Sequence, residues 1–263
     1  MEIIGYIASV FIGLILGLLG GGGSILSIPI LVYLLHVDVV MASAYSLFIV
    51  GTTSLVGAIR KYKENFVNLK TGFLFGIPSI ISIFATRKWI VPAIPEILWQ
   101  SSSFILTKRI FLLGLFAILM ILASISMIKG GMKEMENDRR RFRVLLVMLE
   151  GTLIGLLTGL VGAGGGFLII PALVLLTGLN FKTAVGTSLF IIAINSLSGF
   201  IGDVLNYSMD WKLLLTVTTL AIAGILIGNF YSTKISSGLL KKSFGWLVLA
   251  MGCWILSREI WLK

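Results

Sequence analysis

The sequence predicts an all-α polytopic membrane protein made of two inverted five-segment repeats, each beginning with a broken or re-entrant helical hairpin that has a Gly-rich tip. Of the 263 residues, 57% are hydrophobic and only 12% are charged, whereas a soluble domain carries about 25% charged residues. Several apolar runs reach the ~18 residues that a membrane-spanning helix needs. The second half of the sequence also repeats the first, which indicates a duplicated architecture.

Ten apolar segments, bounded by charges, glycine clusters or proline, give the elements in chain order. They are predicted at 3–19, 24–36, 39–59, 69–86, 110–128, 144–161, 166–178, 184–202, 212–229 and 243–261. One strongly polar stretch separates the first five from the last five. We therefore divide the chain into a first transmembrane repeat (1–128), a cytoplasmic basic linker (129–143) and a second transmembrane repeat (144–263).

A shift of 142 residues aligns the two halves without a gap. Between Ile12 and Ile59, about 23 of 48 positions are identical, against roughly one in ten by chance for this composition. The matched residues include glycines, serines and a proline: Gly13, Gly17, Gly20, Gly22, Gly23, Pro29, Ser46 and Ser54 align with Gly155, Gly159, Gly162, Gly164, Gly165, Pro171, Ser188 and Ser196. The match is too dense to follow from apolar composition alone.

The distribution of charge predicts that the repeats are inverted. Each repeat has an odd number of segments, and the loop after the third segment is basic in the first half (60–63) but acidic in the second (203–210). Positive charge marks the cytoplasmic side, and a cytoplasmic linker leaves 14 of the 21 Lys and Arg residues inside. Arg87, Lys88, Lys108 and Arg109 oppose this pattern by lying together outside. We interpret the net charge of +10 as a result of basic loops that set the membrane orientation and contact anionic lipid, and not as a sign of nucleic-acid binding.

One glycine-rich cluster separates the first two segments of each repeat, at 20–24 in the first and at 162–166 in the second. Four glycines in a row break a helix, since each costs about 1 kcal/mol relative to Ala, and the ~13-residue segment that follows is too short to span. Free backbone N–H groups at such a break suit an anion, and repeat-built transporters place their substrate where such breaks meet. The predicted substrate-binding positions are Gly21, Gly22, Gly23, Ser24, Ala163, Gly164, Gly165 and Gly166.

The third segments add uncharged polar groups that could line a pathway. The predicted binding residues there are Ser46, Thr53, Thr187, Ser188 and Asn195. Spacings of seven residues place Ser46 with Thr53, and Ser188 with Asn195, on one helix face. The alternative is that the hydroxyls bond their own backbone. The GxxxG pairs, Gly13 with Gly17 and Gly155 with Gly159, are interpreted as helix-packing contacts.

Few ionisable residues lie within the apolar runs. His36, Asp38 and Glu150 are the candidates for proton coupling. The alternatives are that Glu150 reaches the basic linker and that His36 and Asp38 lie at the membrane surface. One cysteine and one histidine exclude disulfides and soft-metal clusters, so we expect no cofactor. Hydrolase, nucleotide-binding and metalloprotease motifs are missing, which argues against a membrane-embedded enzyme.

With duplicated glycine clusters, each followed by a proline, the sequence resembles the TauE/SafE sulfite exporter family of membrane permeases. The resemblance rests on residues 17–29 and 159–171 and on 183–189, Thr-Ala-Val-Gly-Thr-Ser-Leu. It implies a multi-pass permease of the plasma or inner membrane for small sulfur-containing anions such as sulfite or organosulfonates. It leaves open the exact substrate, the oligomeric state, and whether the protein is a carrier or an anion channel.

Overall fold

The fold is almost entirely helical. The computed structural model describes residues 2–21, 23–100, 105–129, 140–162, 164–232 and 237–261. Within these ranges the only strands form one antiparallel hairpin, β1 (Ile97–Gln100) with β2 (Ile105–Thr107). The all-α prediction is confirmed apart from this hairpin, which the apolar pattern did not predict.

Each of the ten predicted segments corresponds to a helix. The first repeat contains α1 (Glu2–Leu19), α2 (Gly23–Pro29) with a π-helical continuation (Ile30–Leu34), α3 (Val39–Lys63), α4 (Leu69–Ala85) with a π-helical continuation (Thr86–Ile90) and a final turn α5 (Val91–Ala93), and α6 (Lys108–Lys129). The second repeat contains α7 (Arg140–Val161), α8 (Gly166–Thr177), α9 (Phe181–Val204), α10 (Trp211–Ser232) and α11 (Ser237–Trp261).

The fourth segment differs most from its prediction. We expected it to end at residue 86, before the charges of Arg87 and Lys88, but the helical backbone continues to Ala93. The placement of Arg87 in an outer loop was therefore wrong: its side chain lies inside the helical bundle and is fully buried. The apolar residues that follow it, Trp89 to Val91, allow the helix to continue past the charges.

Six of the described helices are long and apolar enough to cross a membrane. They are Val39–Lys63, Leu69–Ala93, Lys108–Ile125, Val144–Val161, Lys182–Val204 and Trp211–Ser232. Large apolar side chains are exposed along them, as at Ile77 and Ile81 of α4 and at Leu149 and Leu153 of α7. Such exposure is stable only if hydrocarbon covers it. The protein is therefore a multi-pass membrane protein.

The 142-residue shift also relates the polar residues that start the helices. The Asp38 side chain caps α3 and that of Asn180 caps α9, while Asn68 caps α4 and Asp210 caps α10. Each accepts a hydrogen bond from a backbone N–H that has no partner within its own helix. The shared caps explain why equivalent helices begin at equivalent residues although these residues differ between the halves.

Helices of one repeat pack mainly against helices of the other. The α1–α10 pair of helices is equivalent to the α7–α4 pair. The helix α3 packs against its own equivalent α9, and α6 packs against its own equivalent α11. Exchanging each helix for its equivalent under the 142-residue shift returns the same set of contacts. The packing therefore has an approximate two-fold relation, with α3 and α9 at its centre.

Small residues set the close approach of the α4–α7 pair. A Cβ added at Gly155 would lie 2.5 Å from the Ser79 carbonyl oxygen, and one at Gly151 would lie 2.5 Å from that of Phe75. Across the equivalent α1–α10 pair, a Cβ at Gly17 would lie 2.6 Å from the Ile225 carbonyl oxygen. The packing interpretation of the GxxxG pairs is confirmed, because side chains here would force the backbones apart.

We expect Gly155→Val to destabilise the protein and to reduce activity only in proportion to that loss. The new side chain meets backbone atoms of α4, and such overpacking costs about 1–3 kcal/mol. Thermal unfolding in detergent, together with flux per correctly inserted molecule, measures both effects. A folded variant with wild-type melting temperature would contradict the packing role.

Candidate anion-binding site

The glycine breaks of the two repeats lie against each other. The helix α1 ends at Leu19, and Gly20 follows with a positive φ of 71°. A Cβ on Gly21 would lie 2.5 Å from the carbonyl oxygen of Gly166, the first residue of α8. The first tip (20–24) and the second tip (162–166) are therefore in backbone contact. Gly22 and Ala163, both predicted to bind substrate, lie outside the described residues.

Hydrogen bonds within the protein occupy the hydroxyl groups around the first tip. Ser24 Oγ donates to the Gly21 carbonyl at 2.7 Å, and Ser46 Oγ hydrogen-bonds Ser27 Oγ at 2.5 Å. Ser188 Oγ lies 2.8 Å from the Val185 carbonyl and 3.3 Å from that of Gly20. Gly23 packs against α1, where an added Cβ would lie 2.7 Å from Leu16 Cβ. This tip is packed and internally bonded.

The second tip has a different environment. Gly162, Gly164 and Gly165 all have positive φ, between 68° and 80°. Gly165 is the N-cap of α8 and no described side chain caps that helix, so its first N–H groups remain available to a ligand. The buried hydroxyl oxygens of Thr158, beside Gly165, and of Ser196, beside Gly164, have no hydrogen-bond partner in the part of the chain that the structure describes.

A buried guanidinium completes this site. Arg87 is fully buried in the π-helical continuation of α4, a geometry that is rare and is found frequently at functional sites. Its Nη1 donates to Ser43 Oγ at 2.9 Å and lies 3.4 Å from Asp203 Oδ2. Its Nη2 lies against the Gly162 backbone, where a side chain would collide with it. Among the described residues, neither Nε nor Nη2 has a hydrogen-bond partner.

Burial makes the free donors of Arg87 chemically significant. A buried charge is costly unless it is paired and hydrogen-bonded. Asp203 balances the charge, but at 3.4 Å it forms an ion pair without a well-shaped hydrogen bond. A guanidinium presents planar, parallel donors that match an oxyanion. The second tip therefore offers an anion a cation, two free hydroxyls and an uncapped helix start.

The remaining predicted polar residues mostly hold helices in place. Thr53 Oγ1 donates to the Ile49 carbonyl at 2.5 Å, and Thr187 Oγ1 accepts from the Asn68 N–H at 2.9 Å. Asn195 Nδ2 donates to Ser79 Oγ at 2.6 Å, which leaves its Oδ1 without a partner in the described ranges. For Thr53 the alternative of bonding its own backbone is the one observed.

The candidate coupling residues are dispersed. His36, which has a positive φ of 54°, and Asp38 are both exposed, and Asp38 serves as the cap of α3. Glu150 is partly buried in α7, where its Oε2 has no hydrogen-bond partner among the described residues. None of the three is bonded to Arg87, whose side-chain partners in the described part of the chain are Ser43 and Asp203.

Sequence analysis missed Arg87, Asp203 and Thr158 as site residues. Arg87 and Asp203 each fall one residue beyond a predicted apolar segment, where a charge ordinarily marks a loop. The available signal was the apolar sequence that continues after Arg87. Thr158 aligns with Leu16 in the other repeat, and this departure from the duplication was a second signal.

Apolar spanning helices, paired helix breaks and a buried cation beside one of them are features of membrane transport proteins. Comparison with known sequences agrees. The chain belongs to the family described as sulfite exporter TauE/SafE, whose profile matches residues 6–255. The resemblance seen in the glycine and proline motifs is thus confirmed over nearly the whole chain, and the protein is a membrane transporter of this family.

Curated relatives are described in the same terms. A "Probable membrane transporter protein" of Xylella fastidiosa (strain 9a5c) is 27% identical over 254 residues, covering 94% of this chain and 92% of the relative. The "Probable membrane transporter protein YunE" of Bacillus subtilis (strain 168) is 26% identical over 279 residues, covering 97% and 98%. No solved structure matches the chain.

Proposed function

We propose that the protein is a secondary transporter of the cell membrane that moves small sulfur-containing anions such as sulfite or organosulfonates. The anion binds between Arg87 and the second tip. The observation that carries the proposal is the fully buried Arg87 guanidinium, whose Nη2 has no partner among the described residues and lies against Gly162. Unsatisfied buried donors of this kind are costly unless a ligand uses them.

The chemistry around Arg87 favours a compact oxyanion. Sulfite and sulfonate groups carry three oxygens on one sulfur, which can accept from a guanidinium, from hydroxyls and from backbone N–H groups together. Thr158 and Ser196 supply the hydroxyls, and α8 supplies its first N–H groups. Glycine at 164 and 165 lets the ligand approach the backbone closely. The first tip then acts mainly as the packed counterpart of the site.

Inverted repeats would give the transporter two related conformations. The helix contacts are the same when each helix is replaced by its equivalent in the other repeat, which supports a two-fold axis relating the repeats. If the repeats are inverted, this axis lies in the membrane plane. Rocking one set of helices against the other around the contacting tips would then open the site to either side. The linker at 129–143 is cytoplasmic in this arrangement.

Cysteine labelling tests the inversion at equivalent positions. Lys63 and Leu205 are both exposed and differ by the repeat shift of 142 residues. In a Cys253→Ser background, Lys63→Cys should react with impermeant maleimide from the cytoplasmic side and Leu205→Cys from the opposite side. Likewise, Glu136→Cys should be labelled from the cytoplasmic side and Asn206→Cys from the opposite side. Labelling of Lys63→Cys and Leu205→Cys from the same side would refute the inversion and indicate that the two repeats are parallel.

Transport by purified protein in liposomes tests the function itself. Labelled sulfite, sulfate, thiosulfate and short sulfonates are measured for uptake and efflux under imposed gradients. We expect saturable flux of at least one sulfur oxyanion, accelerated by the same anion on the opposite side. Flux without such acceleration would identify an anion channel. Absence of flux for every anion in protein that is folded and inserted would refute the proposal.

A further inference from the structure

Asp203 lies in the last turn of α9 with its carboxylate inside the bundle. It is fully buried, and its only ion-pair partner within the described ranges is Arg87, at 3.4 Å. Neither carboxylate oxygen accepts a hydrogen bond from a described residue. Asp203 therefore neutralises the guanidinium, yet the two are held together weakly for groups so deeply buried.

This pair does not follow from the duplication. The 142-residue shift relates Arg87 to Asn229 and Asp203 to Lys61. Asn229 is a buried neutral amide, and Lys61 is paired with Glu64 at 2.9 Å. The buried Arg–Asp pair, which joins α4 of the first repeat to α9 of the second, thus has no counterpart at the equivalent positions. It lies beside the second tip, where the Thr158 and Ser196 hydroxyls lack partners among the described residues. Its position points to a role in binding and not in the shared scaffold.

We propose that Asp203 is the proton-binding group of the transporter, and that the substrate anion displaces its carboxylate from Arg87. This inference rests on the proposed function. When the anion binds the guanidinium, Asp203 loses its counter-ion while it remains buried. A proton from the same aqueous side then binds a carboxylate oxygen of Asp203. No covalent bond is broken, and one proton accompanies each singly charged anion.

Charge balance supplies the reason for coupling. In the empty site, the positive Arg87 and the negative Asp203 sum to zero. An added monovalent anion would leave one uncompensated negative charge among buried groups, which is costly. Protonation of Asp203 restores neutrality in the loaded site. The empty and the fully loaded site are then both neutral and can both move between conformations, whereas the site loaded with anion alone cannot.

The other ionisable groups around the pair are few. Tyr207, in the turn after α9, lies close enough to Arg87 and Asp203 to interact with them electrostatically. The carboxylates of Asp38 and Glu96 interact in turn with Tyr207. The ammonium of Lys88 lies over the rings of Phe84 and Trp89. The groups packed directly on the pair from α3 and from the second tip, Ser43 and Gly162, are uncharged. Asp203 is thus the carboxylate that is placed to bind a proton when it loses its contact with Arg87.

Proton entry measured alongside anion entry tests this role. Purified protein is placed in liposomes containing a pH-sensitive dye, and gradients of sulfite, sulfate and methanesulfonate are imposed in turn. We expect the wild type to acidify the lumen as the anion enters. Asp203→Asn should lose this acidification while still moving anion, and its flux should no longer respond to a pH gradient. Asp203→Glu, which keeps a carboxylate, should restore proton entry.

Controls separate this role from folding and from other carboxylates. Glu64→Gln makes the same change at a carboxylate outside the spanning segments and should retain the wild-type ratio of protons to anions. Buffering by sulfite scales with the amount that enters, so acidification is compared per anion moved, with methanesulfonate, which does not titrate near neutral pH, as the reference anion. Should Asp203→Asn fail to insert, the inference can still fail, because the wild type and Asp203→Glu must both carry protons with the anion and Glu150→Gln must keep doing so.

Three results would overturn the inference. The first is anion entry without acidification in the wild type, and the second is unchanged proton entry in Asp203→Asn. The third is that Glu150→Gln loses proton entry while Asp203→Asn keeps it. Each leaves anion transport itself intact, so the proposed function survives. If no anion moves in the wild type, the proposed function fails first and the coupling role fails with it.

Discussion

Replacing Arg87 by glutamine should reduce anion transport by about 100-fold or more. The substitution removes the buried cation that we place against the anion, and breaking such a buried charge contact costs about 3–5 kcal/mol. The amide of glutamine retains some hydrogen bonding but no charge. Arg87→Lys, which keeps the charge without the paired donors, should show an intermediate loss. Flux per correctly inserted molecule and equilibrium sulfite binding measure the effect.

Matched variants distinguish this prediction from misfolding. Arg87→Gln leaves Asp203 buried without its partner, so the double variant Arg87→Gln/Asp203→Asn provides a protein without either charge. It should regain stability and remain unable to bind the anion. Arg60→Gln makes the same change at a partly exposed arginine paired with Glu64, and transport should stay near the wild-type rate. Wild-type binding by a folded double variant would refute the role of Arg87.

The second large effect is expected at Gly165. Its φ of 69° is strained for any residue with a Cβ, and an added side chain would also collide with Thr158 Oγ1. Gly165→Val should therefore distort the second tip and reduce flux per inserted molecule at least about fivefold, since strain of this kind costs roughly 1–3 kcal/mol. Sulfite binding should weaken with it. Normal sulfite binding by folded Gly165→Val protein would remove the second tip from the site.

Gly23→Val is the matched substitution in the first tip. Gly23 has no positive φ, and its close contacts are with Ile12 and Leu16 of α1. The sequence predicts a binding role for both glycines, and we propose that Gly23 acts instead through its packing against α1. We expect Gly23→Val to lower the melting temperature and to reduce flux in proportion, as Gly155→Val does. Loss of sulfite binding at unchanged stability would return Gly23 to the site.

Local chemistry made most of the helices predictable from sequence. Apolar runs, capping residues such as Asp38 and Asp210, and glycine breaks act within a few residues, so their effects can be read along the chain. The end of the fourth segment could not be read in this way. Whether Arg87 ends a helix or enters the bundle depends on Ser43, Gly162 and Asp203, which are distant in sequence.

The difference between the two tips was also beyond sequence reasoning. Both carry nearly the same glycine pattern, yet Ser24 and Ser46 around the first tip are bonded internally, while Thr158 and Ser196 around the second have no partner among the described residues. The Ser188 hydroxyl, for example, lies within hydrogen-bonding distance of the Gly20 carbonyl, 168 residues away. Partners so far apart in the chain are set by packing between the repeats, which residue spacing alone does not reveal.

The most direct test of the site is to locate a bound anion. Selenite has the shape and charge chemistry of sulfite, and selenium can be located by anomalous scattering in crystals grown with it. We expect one strong selenium peak within hydrogen-bonding distance of Arg87 Nη2, facing Gly164 and Gly165, and its absence in Arg87→Gln/Asp203→Asn crystals. A peak beside Ser46 and Gly23, or one that persists without the Arg87 guanidinium, would contradict the account.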